Sequence, residues 1–154
     1  MGRDAWLALH ILGVVIFLGN IIVTGAWKVL ADQTRDATVI AFAQRLVTIT
    51  DVAFTATGAA LIATAGAVLA NDFGGISGPS WITWGASLFF TSGAIWIAVL
   101  LPIQVRQARQ ARLFAVDRVI PSSYWRLARL WYVFGTVATL LPLASLYFMV
   151  FKPQ

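Results

Sequence analysis

No cysteine occurs in the chain, which excludes disulfides, thiolate nucleophiles, iron–sulfur ligation and thiolate metal sites. Histidine occurs once, as His10, so the paired spacing of dedicated imidazole metal sites is missing. Charge is scarce as well: Asp, Glu, Lys and Arg make up 11% of the 154 residues. There is no phosphate-cradling glycine loop, no Ser–His–Asp arrangement and no pair of carboxylates inside an apolar run. Hydrolase and kinase chemistry of the familiar kinds is therefore not expected.

What the chain does have is apolar surface, with 60% hydrophobic residues and a mean hydropathy of +0.83. A spanning helix takes roughly 20 mainly apolar residues, so a chain of this length holds four spans with short connections. The reading is an all-α, four-transmembrane-helix bundle forming one integral membrane domain over residues 1–154. The helices are expected at about 4–31, 36–70, 79–112 and 122–151. Residues 11–23 behind Arg3 resemble a signal-peptide core. The apolar character continues to Trp27, however, so the segment reads as a retained span.

The polar run after the first helix offers Thr34 or Asp36 as a cap for the second. Small residues crowd the second helix from Thr55 to Ala67, the signature of close backbone packing in lipid. Pro79 and Ser80 open the third helix, and Pro102 predicts a kink near its far end. Ser122 or Ser123 is expected to cap the fourth, with Pro142 as a second kink.

Charge sets the topology. Lys28, Arg35, Arg45, Arg106, Arg109, Arg112, Arg118, Arg126 and Arg129 fall on one side, and only Arg3 and Lys152 fall on the other. This predicts an N-out, C-out, multi-pass protein of a bacterial inner membrane. The basic run Arg106, Arg109, Arg112 is expected to meet anionic lipid, and no nucleic-acid role follows from it.

An ionisable side chain in hydrocarbon is a functional hypothesis by default. His10 starts a stripe at helical spacing through Gly13, Phe17, Asn20 and Thr24. Its functional reading is an axial ligand to haem b, with Gly13 leaving room for the macrocycle and Arg129 available to a propionate. The structural alternative is a histidine satisfied by an interhelical hydrogen bond. Asp51 falls near the basic end, level with Lys28 and Arg129, and reads as one member of a structural ion-pair cluster with them. The alternative for Asp51 is a proton relay along Gln44, Thr48, Asp51 and Thr55. Trp96, deep in the third helix, reads as a packing anchor.

The segments LHILGVVIFLGN, RLVTITDVAFTATG and IWIAVLLPIQ, with the W-x-x-S-L pattern from Trp84 to Leu88, resemble a bacterial family of small four-helix integral membrane proteins to which no activity is assigned. The Leu9–His10 pair and the glycine-containing helix after it resemble, more distantly, HemJ-type protoporphyrinogen oxidases and CopD-type membrane proteins. In the HemJ type the corresponding histidine is implicated in haem binding, which by resemblance implies a haem ligand at His10. Two functions follow as expectations: haem b binding for redox or haem-related chemistry, or a non-catalytic accessory subunit packed against lipids or a membrane complex. A homodimer fits either.

Overall fold

The computed structural model describes residues 2–153. Four helices account for nearly all of them: α1 (Arg3–Thr34), α2 (Ala37–Phe73), α3 (Ser80–Asp117) and α4 (Ser122–Phe151), each long and apolar enough to cross a bilayer. No strand occurs among the described residues. Large apolar side chains such as Ile11, Val15, Ile97, Val133 and Leu140 point outward, as they must where the solvent is lipid.

The helix ends follow from local chemistry. α1 stops where Arg35 turns left-handed at φ 55° and returns its N–H to the Asp32 carbonyl. Asp36 then caps α2, its Oδ1 accepting from the Thr38 N–H at 2.7 Å and the Val39 N–H at 3.0 Å. α4 has no side-chain cap: Pro121 precedes it in extended conformation, and the Ser123 hydroxyl instead accepts from Gln110 of α3 at 3.0 Å. The expected serine cap is thus displaced by a proline that already sets the entry angle.

Two helices carry a π-helical turn, Asp51–Ala56 in α2 and Trp96–Leu100 in α3. The second lies just before Pro102, which has no N–H to donate back into the preceding turn. The wider ring absorbs that loss, and α3 continues helically to Asp117.

α1 packs along the second half of α2, and α3 packs along α4. The first contact is backbone to backbone. A Cβ at Gly13 would stand 2.8 Å from Leu61 Cβ, and one at Gly58 would stand 2.8 Å from the Phe17 nitrogen. α3 and α4 are pinned by hydroxyls, Ser92 donating to the Ala138 carbonyl at 2.6 Å and Ser145 to the Gly85 carbonyl at 2.8 Å.

The two hairpins join mainly through their basic halves, where Ala37, Ile40, Ala111, Phe114, Tyr124 and Ala128 form a buried cluster. At the opposite end Arg3 pairs with Asp72 at 3.1 Å and Ser80 donates to the Pro153 carbonyl at 3.2 Å. Arg3 and Pro153 therefore lie beside the connection between α2 and α3. Between the hairpins the bundle is less completely filled, and two cavities result.

Candidate functional site

His10 lines the cavity nearer the chain termini, a space of about 420 Å³. Its Nδ1 lies 3.1 Å from the Ile62 carbonyl on α2. A carbonyl only accepts, so Nδ1 carries the hydrogen, and in the neutral ring Nε2 keeps its lone pair. Gly66 makes this placement possible, since a Cβ there would stand 3.0 Å from His10 Cε1. Phe89 and Phe90, Gly85, Met149 and, toward the rim, Arg3 and Lys152 complete the surroundings.

The other residues expected around His10 go elsewhere. Gly13 is sealed against Leu61 and Gly58 and opens no room for a ligand; the glycine beside the imidazole is Gly66, on the facing helix. Asn20, ten residues along α1 and so roughly 15 Å away at 1.5 Å per residue, belongs to a different cluster. Arg129 is exposed on α4 toward the basic end. The four residues His10, Gly13, Asn20 and Arg129 do not converge on one site.

The second cavity, about 390 Å³, lies nearer the middle of the bundle and is walled by both π turns. Asp51 and Thr55 come from one, Trp96 and Leu100 from the other. The Asp51 carboxylate is met by neutral donors: Gln104 Nε2 at 2.7 Å, Thr55 Oγ1 at 3.0 Å and Asn20 Nδ2 at 3.2 Å. The Trp96 indole N–H lies beside the same carboxylate without closing a well-formed hydrogen bond. Trp96 is thus part of a cavity wall as well as a packing anchor. Phe17 and Phe89, in edge contact at 5.8 Å between ring centres, line both cavities and stand between them.

The expected cluster of Lys28, Asp51 and Arg129 is not assembled. Lys28 is 2% exposed, and its ammonium donates to Asp32 and to Tyr124, each at 2.9 Å. Tyr124 donates to Asp32 at 2.7 Å, and the Tyr132 hydroxyl donates to the other Asp32 oxygen. The Trp131 ring centre lies 5.6 Å from the ammonium, within cation–π range. The physical reason is reach: Asp32 is one helical turn from Lys28 on the same face, whereas Asp51 meets α1 at Asn20, roughly two turns from Lys28, in a different hydrogen-bonded group. Among the described residues Arg3–Asp72 and Lys28–Asp32 are the salt bridges, and Arg129 enters neither.

Asp32, Tyr124, Gln104 and Gly66 are therefore central residues that the pattern along the chain did not single out. The Lys28/Asp32 spacing of four was a readable signal. Tyr124 and Gln104 come from other helices and had none.

No protein of curated function and no solved structure matches the chain. Residues 6–153 match the family described as predicted integral membrane protein (DUF2269). With nearly the whole chain matched and four helices apolar enough to span a bilayer, the protein belongs to this family of multi-pass integral membrane proteins.

Proposed function

We propose that the protein binds a haem b-type macrocycle in the terminal cavity through His10 Nε2, for redox or haem-related chemistry at the bilayer. The observation that carries this reading is the imidazole itself. Its Nδ1–H is engaged by the Ile62 carbonyl, which leaves the Nε2 lone pair as the ligating atom, the arrangement in which an outer partner orients a metal-bound histidine.

The surroundings fit such a group. A space of about 420 Å³ is within the 300–1,000 Å³ typical of cofactor sites. Its walls are largely apolar, and Arg3 and Lys152 supply cations at the rim for propionates. A bound haem would supply one-electron chemistry, tuned by its axial ligand and by the dryness of the walls. The charge asymmetry supports placing the basic end in the cytoplasm of a bacterial cell, with the His10 cavity toward the outer face of the inner membrane. Arg106, Arg109 and Arg112 are all exposed along α3, which supports their contact with anionic lipid headgroups.

The test is to purify the protein from cells supplied with haem and record its absorption spectrum. A Soret band that is lost in His10→Ala, while helicity is retained, is the expected result. A folded but colourless wild-type protein would overturn the reading. Crosslinking and identification of co-purified membrane proteins would then examine the accessory-subunit alternative.

A further inference from the structure

Asp51 has no role in haem binding or in the ion pair at the basic end, yet its side chain is buried between the hairpins, at 6% exposure. Among the described residues no cation pairs with it. On α1, Lys28 lies roughly two helical turns beyond Asn20 and is held by Asp32 and Tyr124. Arg45 on α2 and Arg106 on α3 are exposed. From α4, the titratable group sharing its cavity is Tyr132, which donates to Asp32. A mobile cation is left to balance the carboxylate. Metal cations such as Ca²⁺ and Mg²⁺ require a cage of oxygen ligands, but Asn20 and Gln104 turn N–H groups toward Asp51. A proton needs only one carboxylate oxygen and no such cage, and it is the cation that remains.

A second observation supplies the route. Gln44 on α2 and Gln107 on α3 are 1% and 0% exposed, and all four of their side-chain polar atoms lack a protein partner. Gln44 precedes Asp51 by seven residues, two turns along one face of α2, and Gln107 follows Gln104 by three along one face of α3. The first half of α2 packs against this part of α3. Buried amides with unmet hydrogen-bonding capacity are the usual hosts of internal water. Gln110, half-buried and bonded to Ser123, continues the row toward the basic end.

We propose that Asp51 is a proton-binding site loaded from the basic end of the bundle through a hydrated seam of Gln44, Gln107 and Gln104. Loading moves one proton from water at that end to an Asp51 carboxylate oxygen, and unloading returns it, with no other bond changed. The contact between Phe17 and Phe89 bounds the site on the side of the terminal cavity. The site is therefore a proton store with one-sided access, and it is independent of the His10 reading.

The experiment is infrared difference spectroscopy of the full chain in phosphatidylcholine–phosphatidylglycerol vesicles across a pH jump. A protonated-carboxyl band should appear reversibly on acidification and be absent in Asp51→Asn. If Asp51→Asn fails to fold, Asp51→Glu should shift the band in frequency. In the Gln44→Leu/Gln107→Leu double variant the band should persist but rise more slowly, by at least about tenfold, because a hydrogen-bonding relay has been replaced by apolar side chains. The proposal is overturned by a band unaffected by either Asp51 substitution, by a band that does not respond to pH while the protein stays folded, or by one that sodium removes at constant pH. An unchanged rise rate in the glutamine double variant would overturn the seam.

Discussion

Replacing Asp32 with leucine should be among the most damaging single changes in the molecule, and the structure sets the scale. The substitution strands a Lys28 ammonium that is 2% exposed and leaves two phenol hydroxyls, of Tyr124 and Tyr132, without their acceptor. Removing one partner of a buried pair costs about 3–5 kcal/mol, because the remaining charge is uncompensated. For a chain of this size that corresponds to a fall in melting temperature of roughly 6–20 °C. The companion change Lys28→Met removes the stranded charge, so the double variant should recover much of the loss. Unfolding of the four proteins in detergent micelles, followed by circular dichroism against increasing denaturing surfactant, gives the coupling energy directly. It should be at least about 2 kcal/mol, the size expected of residues in one network. Effects that add to within about 0.5 kcal/mol would refute the reasoning, because they would mean that Lys28 finds water or lipid phosphate once Asp32 is gone.

Gly13→Ala should destabilise by about 1–3 kcal/mol, the usual cost of overpacking a close contact, since its Cβ would meet Leu61 and the Gly58 carbonyl. Gly93→Ala is its control: nothing lies within 4 Å of a Cβ there, and helix propensity predicts a gain of up to about 1 kcal/mol. Surfactant midpoints of the two variants separate packing from propensity. Ser145→Ala should cost about 1 kcal/mol through loss of the bond to the Gly85 carbonyl, read from the same midpoint. Asp36 lies in the short connection between α1 and α2, and the N–H groups of Val39 and Thr38 hold its carboxyl below the usual carboxylate range. A depressed native value means that its contribution is present above the unfolded-state value and is lost as pH falls through the native one. Asp36→Asn keeps an uncharged cap, so its stability should decline less between neutral and acid pH than that of the wild type. Parallel curves would show that the cap carries no charge-dependent stability.

That the chain forms four membrane-length helices was legible in the sequence because each must present a long apolar surface to lipid, a requirement local in the chain. Asp36 as a cap and Trp96 deep in the bundle were legible for similar reasons. The site was less so. His10 could be singled out as the lone histidine, but its hydrogen bond to Ile62 and the opening made by Gly66 depend on which face of α2 meets α1. The same docking consumes Gly13, which a reading of α1 alone assigns to a ligand.

Composition and hydropathy by themselves determined that this is a membrane bundle, because the transfer of apolar side chains from water to lipid depends little on neighbours. Charge choices were decided only by tertiary structure. Lys28, Asp51 and Arg129 fall at similar depth by counting, yet the packing sets Asp51 level with Asn20, roughly two turns from Lys28, gives Lys28 to Asp32, leaves Arg129 at the surface and surrounds Asp51 with neutral donors. An ion pair or a hydrogen bond requires approach within about 3 Å, and residue spacing along separate helices cannot specify that without the angles at which they pack.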